Sequence, residues 1–218
     1  MGNVLSVDFL SRCTPIGTST WSDALDALGI AGVCDGLTMR SGSKRIAGQA
    51  VTITESVQAD ATLDVSEFRI GDLIAAVGGG EVLVVSMDGP IVSTAGGLAA
   101  RDAALRGVAG FVIDGSCRDI GDVRETGLFV ASRHVTPRSG KGRVRLEHIN
   151  EPITCGGVTV RAGDLVIGDE TGVVVVPLEH AEEALEIAER LARVDDEITA
   201  GLDQGSRFGA LLQSFGPA

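Results

Sequence analysis

The chain has 218 residues, 44% of them hydrophobic and 22% charged, so it can bury a core and is too apolar to stay disordered. Its 18 basic residues stand against 30 acidic ones, and a net charge of −12 argues against nucleic acid or anionic lipid as a partner. Tyrosine is absent and aromatic residues make up 3% of the chain, which leaves few rings to stack on single-stranded bases.

The first residues, M-G-N-V-L-S, formally fit the N-myristoylation pattern but lack the second signal that stable attachment to a membrane needs. Residues 1–19 read as an N-terminal segment. The stretch S-T-W-S-D-A-L-D-A-L-G at 19–29 predicts a helix, with Ser19 or Thr20 as cap, Trp21, Leu25 and Leu28 on one face, and Gly29 as stop. Residues 47–54 alternate in the manner of a strand, and E-V-L-V-V-S-M at 81–87 is a run apolar enough to be buried on both faces. Gly96-Gly97 then leads into an alanine-rich helix at 98–106. A second buried strand follows at 108–114, then Gly115 and a helix near 119–126. This β-α-β-α order predicts parallel neighbours joined by a right-handed crossover.

A strand is expected at 127–131, antiparallel strands around a turn at 143–160, and a hairpin around D-E-T-G at 163–177. Residues 178–199 predict a long helix, with Ala181, Ala184, Leu185, Ala188, Leu191 and Ala192 on one face and acids on the other. No linker, repeat or low-complexity tract interrupts the chain. One α/β domain spanning 1–218 is expected, with 178–203 as a C-terminal helix available for subunit contact.

Cys13, Cys34, Cys117 and Cys155 form no C-x-x-C pair, so zinc and redox-motif readings lack their spacing. There is no secretory signal and no apolar run of the ~18 residues a membrane span needs. The chain therefore reads as reduced and cytoplasmic. His134, His148 and His180 are scattered without metal spacing, and the basic stretch Arg133 to Arg145 reads as a solvated loop and hairpin.

Loops at the carboxyl ends of parallel strands line the ligand crevice of α/β sheets. Gly96-Gly97 and Arg118-Asp119 both fall there. The double glycine at a helix start offers free amides and a positive dipole end to an anion. Arg118 matches a carboxylate with its planar fork. Asp119 offers an oxygen to a hard divalent ion, Mg²⁺ or Mn²⁺, whose shell water and substrate would complete. Asp88 ends a strand at the same edge and is a supporting candidate. Cys117 reads as a small buried residue, and Asp169-Glu170 as the hairpin turn.

The run G-G-L-A-A-x-x-A-A-L-R-G-V-A-G-F-V-I-D-G-S-C-R-D at 96–119 resembles the central motif of the RraA-like family. That family holds the class II 4-hydroxy-4-methyl-2-oxoglutarate aldolases and the regulators of ribonuclease E activity. S-D-A-L-D-A-L-G at 22–29, G-Q-A-V-T-I-T at 48–54, G-G-V-T-V-R-A-G-D-L-V-I-G-D-E-T-G-V-V-V-V-P at 156–177 and E-I-T-A-G-L-D-Q-G at 197–205 extend the resemblance. It implies an α-β-β-α sandwich similar to a phosphohistidine swivelling domain, assembled as homotrimers or homohexamers with sites at subunit interfaces. It also implies a lyase acting on a small 2-oxo acid through a pyruvate enolate. By the same resemblance Gly96, Gly97, Leu98, Ala99 and Arg118 bind the pyruvyl group and Asp119 holds the metal. A carboxylate from a neighbour's C-terminal helix is expected too, with Asp196 or Glu197 the nearest matches.

One departure bears on the chemistry. Gly97 stands where the aldolases carry the Asp or Glu that serves proton removal from the substrate hydroxyl. Asp102 would replace it only if the helix start were displaced. Without that acid, decarboxylation of oxaloacetate, which needs no such base, fits the remaining residues better than aldol cleavage. Two alternatives stay open: a non-catalytic binding protein of the ribonuclease-regulator type, and the same scaffold turned to another carboxylated substrate in the space Gly97 leaves.

Overall fold

In the computed structural model residues 4–215 are described; the M-G-N start of the myristoylation-like sequence lies outside them. The apolar runs form a sheet with both faces covered. Val82, Leu83, Val84 and Val85 of strand β3 (Val82–Asp88) are each 0% exposed, so alternate side chains must enter two different cores. Val51, Ile53, Leu83, Val85, Phe111 and Ile113 point to one core; Ala50, Val82, Val84, Val112, Phe129 and Ala131 point to the other.

The sheet is built on β2 (Ile46–Val57), β3, β5 (Gly110–Cys117) and β6 (Phe129–Val135), all parallel, with β1 (Thr38–Ser41) antiparallel on the β6 edge. The first half of β2 also pairs antiparallel with β10 (Leu165–Gly168), which turns back into β11 (Val173–Val176). The full order is β1-β6-β5-β3-β2-β10-β11, with a short β4 (Ser93–Ala95) beside β5 and β7 (Val144–Ile149) beside β2. The expected parallel pairing of the two buried strands is present as Val82↔Gly110 through Ser86↔Asp114.

Helices α3 (Ile70–Ala76), α4 (Gly97–Leu105) and α5 (Ile120–Thr126) cover the first face through Leu73, Ile74, Ala100, Ala103 and Val123. The second face meets Val166, Val173 and Val175 of the β10–β11 hairpin. The hairpin's other side, Leu165, Ile167, Val174 and Val176, packs on α2 (Thr18–Leu28) and α6 (Ala181–Asp203) through Trp21, Leu25, Ala184, Leu185 and Ala188. The layers are therefore α-β-β-α, as expected. No described helix is long and apolar enough to cross a membrane.

Several local expectations change. Residues 143–160 are not one hairpin: β7 leaves to pair with β2, and the hairpin is β8 (Ile153–Cys155) with β9 (Val158–Val160). Its corner is Gly156-Gly157, both at positive φ (57° and 86°). The strands expected at 108–114 and 127–131 both run on, to Cys117 and Val135, because the ladder continues through Ser116↔His134 and Cys117↔Val135. Neither Ser19 nor Thr20 caps α2. The cap comes from Asp169, 151 residues away, which accepts from Thr18 N (3.0 Å) and Thr18 Oγ1 (2.7 Å). Helices α1 (Val7–Cys13), α3 and α7 (Phe208–Phe215) and the short β1 and β4 carry no period long enough to be read from sequence.

Candidate active site

The parallel pairing of β4 with the end of β5 places Ala95 opposite Cys117, and Arg118 N donates to Ala95 O at 3.0 Å. The two chain segments therefore leave the sheet side by side. One continues as Gly96-Gly97 into α4, the other as Arg118-Asp119 into α5. This local ladder joins two motifs about twenty residues apart in sequence.

Close approach demands glycine here. A methyl group on Gly96 would collide with Asp119 Oδ2 and lie 2.9 Å from Arg118 Cγ. Gly96 is extended (φ −149°, ψ −162°) and Gly97 is not at positive φ, so space, and not backbone conformation, is what selects glycine at both positions. The first intrahelical bond of α4 runs from Ala100 N to Gly96 O, so the amides of Leu98 and Ala99 have no intrahelical acceptor. Gly97 N instead reaches Asp119 Oδ2 at 3.3 Å.

Arg118 Nε lies 3.5 Å from Asp119 Oδ2, and the two side chains are 38% and 40% exposed. Asp119 has left-handed backbone (φ 54°, ψ 43°), one of three non-glycine residues at positive φ among those described. Such a conformation costs about 1 kcal/mol and tends to occur where neighbouring structure over-determines it. Here it turns the carboxylate back over the start of α4.

A cavity of about 570 Å³ opens at this point, lined on one side by Thr94, Gly96, Leu98, Ala99, Arg118 and Asp119 and on the other by Phe68, Ile70 and Ile74. Asp102 is in its wall but pairs with Arg106 Nε at 3.2 Å. Arg106 in turn donates to the carbonyls of Ile74 and Val77, tying α4 to the end of α3. Asp88 is exposed at the end of β3 and does not line the cavity. Asp196 and Glu197 are exposed on α6, in the opposite outer layer, so neither reaches the cavity of its own chain.

One residue without an assigned role joins the cavity wall, and another stands beside Gly97 outside it. Lys141, from the stretch read as a solvated basic loop, lines the cavity and forms no salt bridge among the described residues. The other is Asp122. A methyl on Gly97 would lie 2.7 Å from Asp122 Cβ and 3.1 Å from its Oδ2. Gly97 therefore leaves no open space: a carboxylate delivered by α5 occupies the place where a side chain at 97 would go.

Among the described residues no three His, Cys, Asp or Glu side chains cluster to hold a metal ion. The donor at hand is the Asp119 carboxylate. One or two carboxylates with water and substrate match what Mg²⁺ or Mn²⁺ accepts, so the donor set fits such an ion.

Residues 18–175 match the model of the RraA-like family, described as Aldolase/RraA. A Halalkalibacterium halodurans protein provisionally named 4-hydroxy-4-methyl-2-oxoglutarate aldolase is 31% identical over 88% of this chain and 86% of its own length. The Legionella pneumophila protein DlpA is 29% identical over 85% of this chain but only 30% of itself, so the unit also occurs within a longer protein. An uncharacterized Pseudomonas syringae pv. tomato structure superposes with a TM-score of 0.86 at 29% identity, covering 97% of this chain and 96% of that one. Streptomyces coelicolor RraAS2, described as an unusual member of the RNase ES inhibitor RraA protein family, gives 0.78 at 26% identity over 90% and 98% of the two chains. The chain belongs to the RraA-like, or Aldolase/RraA, family.

Proposed function

We propose that this chain is a divalent-cation-dependent carbon–carbon lyase that forms a pyruvate enolate from a small 2-oxo dicarboxylic acid. The reading rests on one observation: the free amides of α4, the Arg118 guanidinium and the Asp119 carboxylate converge on one cavity. Leu98 N, Ala99 N and Arg118 bind and orient the carboxylate next to the 2-oxo group. Lys141, in the same cavity, supplies a cation for a second carboxylate. A divalent ion held by Asp119 would stabilise the negative charge that builds on the 2-oxo oxygen as the carbon–carbon bond breaks.

Oxaloacetate needs nothing more, since CO₂ leaves with its own bonding electrons left behind on carbon. Aldol cleavage of 4-hydroxy-4-methyl-2-oxoglutarate also needs a base for the 4-hydroxyl proton. Asp122, beside Gly97 though outside the cavity wall, is the carboxylate we assign to that step. Assembly as a trimer or hexamer would let Asp196 or Glu197 of a neighbouring copy approach the mouth of the cavity, where Leu98 is 88% exposed.

A second reading, a non-catalytic regulator of a ribonuclease, is favoured by the likeness to RraAS2. One assay separates the two. CO₂ release from oxaloacetate is measured with Mg²⁺ or Mn²⁺, with EDTA, and with metal but no protein. Release above the metal-only background that EDTA abolishes supports the lyase; rates equal to background reject it and leave the regulator.

A further inference from the structure

Helices α3 and α4 run side by side away from the anchoring end of the cavity. Arg106, just past the end of α4, donates to the carbonyls of Ile74 and Val77 at the end of α3 and so closes the far end. From Leu98 to Arg106 the wall follows α4 for roughly 12 Å, a reach that the four carbons of oxaloacetate do not fill. At about 570 Å³ the cavity also falls in the range of roughly 300–1,000 Å³ that suits larger ligands. The α3 wall is apolar: Ile70 with Ile74, and Gly71 with Ala75, are pairs four apart that share a helix face. A Cβ added to Gly71 would meet nothing within 4 Å, so the wall has open space beside it. Facing it, Asp102 and Arg106 neutralise each other at 3.2 Å and leave no unpaired charge along the groove. Lys141 belongs to the near end, because a methyl on Gly140 would lie 2.7 Å from the ring of Phe68, two residues before α3 begins.

We infer that the α3–α4 groove holds an uncharged apolar tail, and that the chain cleaves 4-hydroxy-2-oxo acids whose C4 carries an alkyl or aryl group. The inference rests on the lyase reading above. The pyruvyl half is held at the start of α4, and C4 with its tail lies along the groove toward Arg106. The 4-hydroxyl proton passes to Asp122, and the C3–C4 bond breaks with its electron pair going to the enolate. The far fragment leaves as an apolar aldehyde. The proton then returns to C3, so one hydroxy acid gives one pyruvate and one aldehyde with nothing added or lost. Removing the tail's methylenes from water supplies affinity in a groove that offers a distal carboxylate no free cation.

The test uses the full chain with Mg²⁺ and the straight-chain 2-oxo acids from 2-oxobutanoate to 2-oxooctanoate, which carry the tail but cannot be cleaved. Their inhibition of CO₂ release from oxaloacetate is measured in wild type, Gly71→Leu and Ala75→Phe. Both substitutions put a side chain into the groove from exposed positions of α3. In wild type the inhibition constant should fall by about threefold per added methylene, and in both variants it should stay flat. The slope is read within each protein, so a general loss of affinity or stability does not imitate that result. A flat wild-type series overturns the inference, and so does an unchanged slope in either variant. Wild type should also cleave 4-hydroxy-2-oxooctanoate to pyruvate and pentanal; tail binding without that cleavage overturns the substrate class. If wild type releases no CO₂ above the metal-only background, it is the lyase reading that falls. The same acids followed by calorimetry then decide the groove alone: affinity that rises with tail length keeps it, and a flat series removes it.

Discussion

Asp119 and Asp169 are each an aspartate that follows an apolar strand, the first before a helix and the second before a hairpin turn, yet the structure uses them in opposite ways. Asp169 is 8% exposed and saturated: it accepts from Thr18 N and Oγ1, from Thr171 N at 2.8 Å and from Gly172 N at 3.3 Å. Burial pushes its carboxyl up, but these donors outweigh burial and hold it below the usual carboxylate range. Asp119 accepts one long bond, from Gly97 N at 3.3 Å, faces Arg118 and keeps its remaining lone pairs toward a cavity. A saturated carboxylate builds a fold; one left with free lone pairs in a strained backbone is available to a ligand.

The sharpest way to break this contrast is to neutralise each carboxylate in turn. Asp119→Asn keeps a side chain that tolerates left-handed backbone, so stability should move by no more than about 0.5 kcal/mol. Metal-dependent decarboxylation should fall by roughly 10³-fold. A variant that unfolds would place Asp119 with Asp169 as a structural residue, and melting curves beside initial rates show which it is.

A smaller effect is expected at Asp122, the carboxylate beside position 97. Asp122→Asn should lower cleavage of 4-hydroxy-4-methyl-2-oxoglutarate by about 10²-fold while leaving oxaloacetate decarboxylation nearer wild type. Gly97→Ala, which drives a methyl against Asp122 Cβ, should cost about 1–3 kcal/mol, and Asp122→Gly in the same chain should recover most of it. Additive losses in that double variant, measured by denaturant titration, would refute the shared space.

Asp169→Asn should do the reverse of Asp119→Asn, costing about 2–3 kcal/mol of stability with little change in turnover at low temperature. Because the folded pKa of Asp169 is lowered, its contribution is full above the ordinary carboxylate range and is lost as pH falls through the depressed value. The variant should therefore show a flatter acid limb in stability against pH.

Glu55, buried in β2, gives a pH dependence of the opposite sign. Its folded pKa is raised from 4.5 to about 8, so between those values the folded chain holds a proton that the unfolded chain has released. Stability from this group is full below about pH 4.5 and is lost as pH rises toward 8. Glu55→Gln removes that slope, and urea titrations between pH 5 and 8 should show the variant gaining on wild type across the window. Parallel curves would mean that Glu55 is ionised when buried.

Much of this was legible in the residues themselves. The doubly buried strands, their parallel order, the long amphipathic α6 and the placement of Gly96-Gly97 beside Arg118-Asp119 all follow from periodicity and strand-end rules. Short elements were not legible, because α1 and β1 draw their stability from packing and from partners such as the Ser132 and Arg133 carbonyls that Arg40 reaches. The absence of an acid at 97 was plain in the sequence, but its remedy was not. Asp122 became visible only when α5 was laid beside the start of α4, and Lys141 only when its loop folded over the same cavity.

The amino-acid order by itself determined the long strands and helices and which two motifs meet at a sheet edge, since those depend on spacing along one chain. Which carboxylates are saturated, which are free and which are buried without a partner was decided by tertiary structure alone. Hydrogen-bond capacity is filled or left open by groups far away in sequence, as Thr18 fills it for Asp169 and nothing fills it for Glu55.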